Sequence, residues 1–280
     1  PSLRRGRLRW EVLRRFVVYA WPLAIALAIS MIAAVAERFV LARLAGTVAL
    51  GPYGAATDFV RQGFTVVGEG LMMALVTLAK NHATAGRTAE AQATLLMASR
   101  LFAVVAVFGV GFFTLLGADL FRLLYGPDFV AGLEWAVPFL VVSGALLMVR
   151  NYYFGQVIYF TGSAAIELKV SIAAMVTVTL VAVLLVPAFG ILGAALAQVA
   201  GQALACLAMA VHGRRHYPMP FDTKAFLGMT AVVLVIVTID RLVETPALGP
   251  LARVAIELAA LGVAAIGAIV WLRLWRKPAG

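Results

Sequence analysis

Chemistry in a chain this apolar falls to the few ionisable groups inside its hydrophobic runs, because each costs at least about 2.5 kcal/mol to hold in hydrocarbon. Asp58, Arg61, Gln62, Thr65 and Glu69 form one set. At about 100° per residue these spacings keep all five on one stripe of a helix, with Phe59, Val66 and Val67 on the opposite face. The stripe must meet water or protein, so either it lines a cavity or Asp58 pairs with Arg61 one turn on and holds helices together. Arg150 opens a second set, followed by Asn151, Tyr152, Tyr153, Gln156 and Tyr159. A guanidinium grips a phosphate through two parallel charge-assisted hydrogen bonds, and the amides and aromatic rings after it suit sugar hydroxyls and ring faces. The competing role for Arg150 is structural, paired with Asp58 or Glu69.

Other polar groups carry less. Glu37 and Arg38 read as a solvated helix end or a gate contact, and Asp240-Arg241 as an interfacial helix end. Arg253 and Glu257, four residues apart, form a local pair. His82, His212 and His216 fall at or beyond helix ends, which argues against a proton relay across the chain. Arg87 with Glu90 predicts a short amphipathic helix between Lys80 and Arg100. The single Cys206 allows neither an intrachain disulfide nor a cysteine metal cluster. No connection holds paired carboxylates, a nucleophile elbow or a Gly-rich phosphate loop, so the chain is expected not to be an enzyme and to use no cofactor and no metal.

The elements that must position these groups follow from composition. Of 280 residues, 63% are hydrophobic and 13% charged, against roughly 25% charged in soluble domains. Such an excess of apolar surface has no place except lipid, which excludes soluble enzymes, disordered tails and nucleic-acid-binding domains. The net charge of +10 is spread between apolar runs, so it signals topology and nucleic acid is not an expected partner. Eight runs are long enough to span: Phe16 to Ala36, Tyr53 to Leu78, Leu101 to Leu123, Trp135 to Phe160, Val170 to Val186, Ile191 to Val211, Ala225 to Leu242 and Leu251 to Leu272. In hydrocarbon these must be helices. The expected fold class is therefore an all-α integral membrane protein of about eight transmembrane helices.

With the N-terminus in the cytoplasm, sixteen of the 23 Lys and Arg residues fall inside and five outside, leaving Arg61 and Arg150 within spans. That bias predicts a multi-pass protein with both termini of this chain cytoplasmic. The basic run from Arg4 to Arg15 fits this orientation and could also meet anionic lipid head groups. Pro187 and Gly190 predict a tight outer turn beginning at the proline, and Leu124 to Phe129 a break followed by an interfacial segment. Gly193, Ala197, Gly201 and Ala205 form a small-residue row on which a neighbouring helix can pack closely. The chain opens on Pro1 rather than Met, which leads us to expect a preceding N-terminal part.

Several of these segments together resemble a known family. They are Glu37-Arg38, Leu44, Gly46, Gly51-Pro52-Tyr53-Gly54, the Leu124 to Phe129 turn, Arg150-Asn151-Tyr152-Tyr153, and above all Pro187-Ala188-Phe189-Gly190-Ile191-Leu192-Gly193-Ala194-Ala195. The pattern resembles the C-terminal half of oligosaccharide-lipid flippases, the polysaccharide or O-antigen exporters of the multidrug/oligosaccharidyl-lipid/polysaccharide (MOP) exporter superfamily. The resemblance implies a basic cytoplasmic segment at 1–15, the second six-helix lobe at 16–212, a cytoplasmic loop at 213–224, and an extra C-terminal helix pair with a basic tail at 225–280. It further implies a missing N-terminal six-helix lobe, membrane lipids as neighbours, and residence in the bacterial inner membrane. The implied substrate is an undecaprenyl-pyrophosphate-linked oligosaccharide, flipped by alternating access. Arg150, helped by Arg61, would then offset the pyrophosphate charge. A cation-coupled multidrug exporter and a peptidoglycan-precursor flippase of the same superfamily remain alternatives.

Overall fold

A computed structural model describes residues 10–126, 133–161, 165–242 and 250–272, and among them every regular element is helical. The elements are α1 (Trp10–Ala45), α2 (Thr47–Leu71), a π-helical turn (Met72–Val76) leading into α3 (Thr77–Thr84), α4 (Thr88–Tyr125), α5 (Val137–Tyr152), a 3₁₀ turn (Phe154–Gln156), α6 (Val157–Thr161), α7 (Ala165–Phe189), α8 (Ile191–His216), α9 (Thr223–Leu242) and α10 (Pro250–Trp271). Seven helices among the described residues are long and apolar enough to cross a membrane, and α1 carries a shorter apolar stretch, Ala20–Ile29. The chain is an all-α integral membrane protein.

The helices outrun the expected spans. α1 continues past Ala36 to Ala45, because Glu37 and Arg38 find partners on other helices and need no water. The amphipathic helix expected between Lys80 and Arg100 does not exist as a separate element. A turn at Ala85 and Gly86, the latter with φ +77°, joins α3 directly to α4, and Arg87 bonds Glu90 at 3.0 Å beside it. Pro187 does not start the outer turn either. α7 runs through it to Phe189, since a proline so near the helix end costs few bonds, and Gly190 makes the turn at φ +54°. The interfacial segment expected after Gly126, most of the basic run from Arg4, the side chains of Arg253 and His216, and the basic tail lie outside the described residues.

Helices in lipid gain nothing from burying apolar surface against one another, so close packing has to hold them. The small-residue row on α8 supplies it. A Cβ on Gly201 would run into Val178 Cγ2 of α7 and lie 3.2 Å from the Ala174 carbonyl oxygen, and one on Gly193 would meet the backbone at Leu185. Ala197 and Ala205, on the same row, are fully buried. One core joins α1, α2, α4, α5, α7 and α8, with Tyr53, Phe102, Phe121 and Met148 among its fully buried side chains. A second core seats α9 and α10 on the far face of α4 through Val104, Phe108, Met229, Val233 and Leu261.

The ends of the helix pair are tied to α4 by polar contacts. Arg100 Nε donates to Asp222 at 2.9 Å and its Nη1 to the Leu272 carbonyl at 3.4 Å. Asp222 also caps α9, its Oδ1 accepting the Ala225 N–H at 3.0 Å. Burial alone would raise this carboxyl, but the Ala225 bond and the Arg100 and Lys224 charges outweigh it and hold it below the ordinary aspartate value.

Candidate cavity in the six-helix core

α1, α2, α5, α7 and α8 enclose a cavity of about 460 Å³. α2 presents Tyr53, Thr57, Arg61 and Thr65, each four residues after the last, so one row of this helix forms the wall. The neighbouring row points elsewhere. Asp58, Gln62 and Glu69 are therefore absent from the lining, although the full five-residue stripe reads as one face in sequence. Asp58 turns toward α1, where its Oδ1 accepts Arg38 Nη2 at 2.6 Å and Arg61 Nη2 at 2.9 Å. Gln62 is exposed, and Glu69 accepts the Tyr152 hydroxyl at 3.2 Å on the outer side. Val66 and Val67 are exposed and available to lipid, while Phe59 packs edge-on against Phe113 and Phe121.

Arg150 lies at a break in what the hydropathy reads as one continuous span. α5 stops at Tyr152, the chain passes through Tyr153 into a single 3₁₀ turn, and α6 follows. The α-helical ladder is interrupted at this point. Tyr153 N–H reaches the Val149 carbonyl at 3.2 Å, Gln156 N–H the Tyr153 carbonyl at 3.2 Å, and Gln156 Nε2 takes up the Asn151 carbonyl at 2.9 Å. The turn is tight enough that a Cβ on Gly155 would sit 2.8 Å from the Arg150 carbonyl oxygen.

Beside the break the Arg150 guanidinium reaches the first turns of α7. Its Nη2 bonds Glu167 at 2.6 Å and Ser171 at 3.1 Å, and the side chain is 6% exposed. Its partner is thus neither Asp58 nor Glu69. Asn151, Tyr152, Gln156 and Tyr159 join Arg150 on the wall. Tyr153 does not: it is fully buried in the core, where its single hydroxyl proton is shared between the Leu95 carbonyl, 3.1 Å away, and the Pro220 carbonyl. Tyr153 falls in the turn that follows α5, outside the run from Arg150 to Tyr152 that faces the cavity.

Glu37 is no solvated helix end. It is 3% exposed and lines the cavity, one oxygen accepting the Tyr53 hydroxyl and the other Gln198 Nε2, so that one carboxyl joins α1, α2 and α8. Gln198 and Gln202, one turn apart on α8, Ser171 and Glu167 complete the polar wall. The paired glutamines in an otherwise apolar helix were the available sequence signal for α8. Glu167 was masked by Lys169, two residues on, which made the stretch look like a loop.

The lining charges, among the described residues, are three arginines and two glutamates. Both Glu37 oxygens are occupied, and Glu167 Oε1 takes Arg150 and Ser171 together. The guanidiniums are less committed. Arg38 and Arg61 share one oxygen of Asp58, and Arg150 Nε is buried without a protein partner, as are Thr57 Oγ1 and Gln202 Oε1 on the same wall. Three cations to two carboxylates, with a spare donor on Arg150 and both Glu37 oxygens taken, favour an anionic guest with hydroxyls.

No family model and no curated protein matches the chain. Among solved structures it matches the lipid II flippase MurJ in an inward closed conformation, with a TM-score of 0.66 at 12% identity, over 96% of this chain and 57% of that one. The shared feature is the fold, and this chain spans little more than half of that structure's length.

Proposed function

We propose that the chain is one lobe of a flippase for polyprenyl-pyrophosphate-linked saccharides, working by alternating access in the bacterial inner membrane with both ends of the chain cytoplasmic. The observation that carries this reading is the excess of cations on the cavity wall, three arginines to two glutamates, with the Arg150 Nε donor uncommitted and both Glu37 oxygens already bonded. Arg150, Arg61 and Arg38 hold the pyrophosphate, while Asn151, Tyr152, Gln156 and Tyr159 meet the sugar. A missing six-helix lobe closes the other side of the cavity. Asp58 and Glu69 act at one remove, Asp58 by aiming Arg38 and Arg61, and Glu69 by holding the Tyr152 hydroxyl. Gln62 stands on the exposed face of α2, where it meets the partner lobe.

Two cargoes share this chemistry. The sequence resemblance favours an undecaprenyl-pyrophosphate oligosaccharide for surface polysaccharide, and the fold likeness to a lipid II flippase favours a peptidoglycan precursor. A cation-coupled multidrug exporter fits less well, since its guest would face three arginines. The test is to express the complete coding sequence that contains this chain in two strains, one lacking its polysaccharide flippase and one depleted of its peptidoglycan-precursor flippase. Restored surface polysaccharide or restored growth identifies the cargo. Failure in both, with export of cationic dyes instead, refutes the proposal.

A further inference from the structure

The connector between α8 and α9, residues 217–222, is fastened to the helices around it. Tyr217 stacks on Phe160 of α6 with ring centroids 4.4 Å apart. The Pro218 carbonyl accepts Gln92 Nε2 at 3.1 Å, and Asp222 takes Arg100. Its most buried attachment is to the break in α5: the Pro220 carbonyl accepts the Tyr153 hydroxyl, and Phe221 packs 5.8 Å from Phe154. The same break carries Arg150 and Asn151 on its other side, facing the cavity.

We infer that Tyr153 is a positioning residue that locks the α5 break to this connector, so that the α9–α10 pair, none of whose described residues lines the cavity, governs the direction in which Arg150 and Asn151 face it. The α-helical ladder is interrupted at Tyr153, where a 3₁₀ turn replaces it. The Tyr153 hydroxyl adds a constraint there, its one proton shared between the Leu95 carbonyl on α4 and the Pro220 carbonyl on the connector. Moving the connector must either carry the break along or strand the part-buried Pro220 carbonyl while the Tyr153 hydroxyl falls back on Leu95, and a stranded carbonyl is costly. The role of the cavity rests on the flippase reading, whereas the mechanical link does not.

The test uses the whole chain in detergent, with Cys206→Ala as background and a single reporter cysteine on the wall. Tyr153→Phe keeps the ring and removes only the hydroxyl. We expect it to change the rate at which a water-soluble thiol reagent labels Asn151→Cys by about fivefold, the worth of one neutral hydrogen bond, and to leave labelling of Thr57→Cys on α2 within a factor of about two. A Gln92→Ala/Arg100→Gln variant, which loosens the connector without touching Tyr153, must move the Asn151→Cys rate in the same direction, and it decides the matter if Tyr153→Phe does not fold. Unchanged labelling at residue 151 in the folded variants overturns the inference, as does an equal change at residue 57. Binding of a fluorescent undecaprenyl-pyrophosphate disaccharide is read in parallel on the parent protein. If the parent fails to bind it, the flippase reading falls while the labelling still decides the link.

Discussion

Arg150 and Glu167 offer the sharpest separation of structure from function. Their 2.6 Å ion pair is mostly withdrawn from solvent, the side chains being 6% and 18% exposed. Removing one member of a buried pair costs about 3–5 kcal/mol, because the survivor stays desolvated without its counter-charge. Glu167 keeps some solvent and Ser171 also bonds Arg150, so Arg150→Met and Glu167→Gln should each fall near the low end, about 2–3 kcal/mol. The double variant leaves no stranded charge and should be less destabilised than the sum of the singles by about 1–3 kcal/mol. Thermal unfolding in detergent, followed by intrinsic fluorescence, measures all four proteins. Binding then divides the two roles. Glu167→Gln frees the guanidinium and should tighten binding of an undecaprenyl-pyrophosphate saccharide, whereas Arg150→Met should weaken it. Additive stability losses would refute the pair, and equal weakening of binding by both single variants would reduce Arg150 to a structural residue.

Two further outcomes follow from packing and charge. Gly201→Ala should destabilise the protein by about 1–3 kcal/mol through overpacking against Val178, and Val178→Ala in the same molecule should recover much of that loss in the same unfolding measurement. The Asp222 carboxyl is held below its ordinary value when folded. Its tie to α9 and Arg100 is therefore fully present above the unfolded aspartate value of about 3.9, and it is lost only as pH falls through the lower folded value. Unfolding followed from pH 7 down to 3 should show this loss in the parent at the acid end alone and not in Asp222→Asn; an equal acid-end loss in both would remove Asp222 as the cause.

What could be read from the residues divides along physical lines. Apolar runs announce membrane helices because lipid leaves the backbone no alternative, and the row from Gly193 to Ala205 announces a close helix contact because absent side chains are themselves visible in sequence. Helix ends were harder. Pro187 marks a weak point that α7 tolerates, and α1 passes through Glu37 because residues as distant as Gln198 satisfy it. The break at Tyr153 left no proline to betray it, so the span from Trp135 to Phe160 read as one continuous helix. Periodicity identified the polar stripe of α2 but could not divide it into the Tyr53, Thr57, Arg61, Thr65 row and the Asp58, Gln62 row beside it. Partners defeat sequence reasoning for a related reason: Arg150 meets Glu167 only once α5 has broken and α7 has packed back across it.

The most direct measurement is the affinity of the purified chain for a fluorescent undecaprenyl-pyrophosphate saccharide, set beside the matching monophosphate and a cationic dye. Our account predicts saturable binding of the pyrophosphate lipid, competed by inorganic pyrophosphate and weakened by Arg150→Met, with the monophosphate weaker and the dye not bound. Tight binding of the dye, or pyrophosphate-lipid binding indifferent to Arg150, would contradict it.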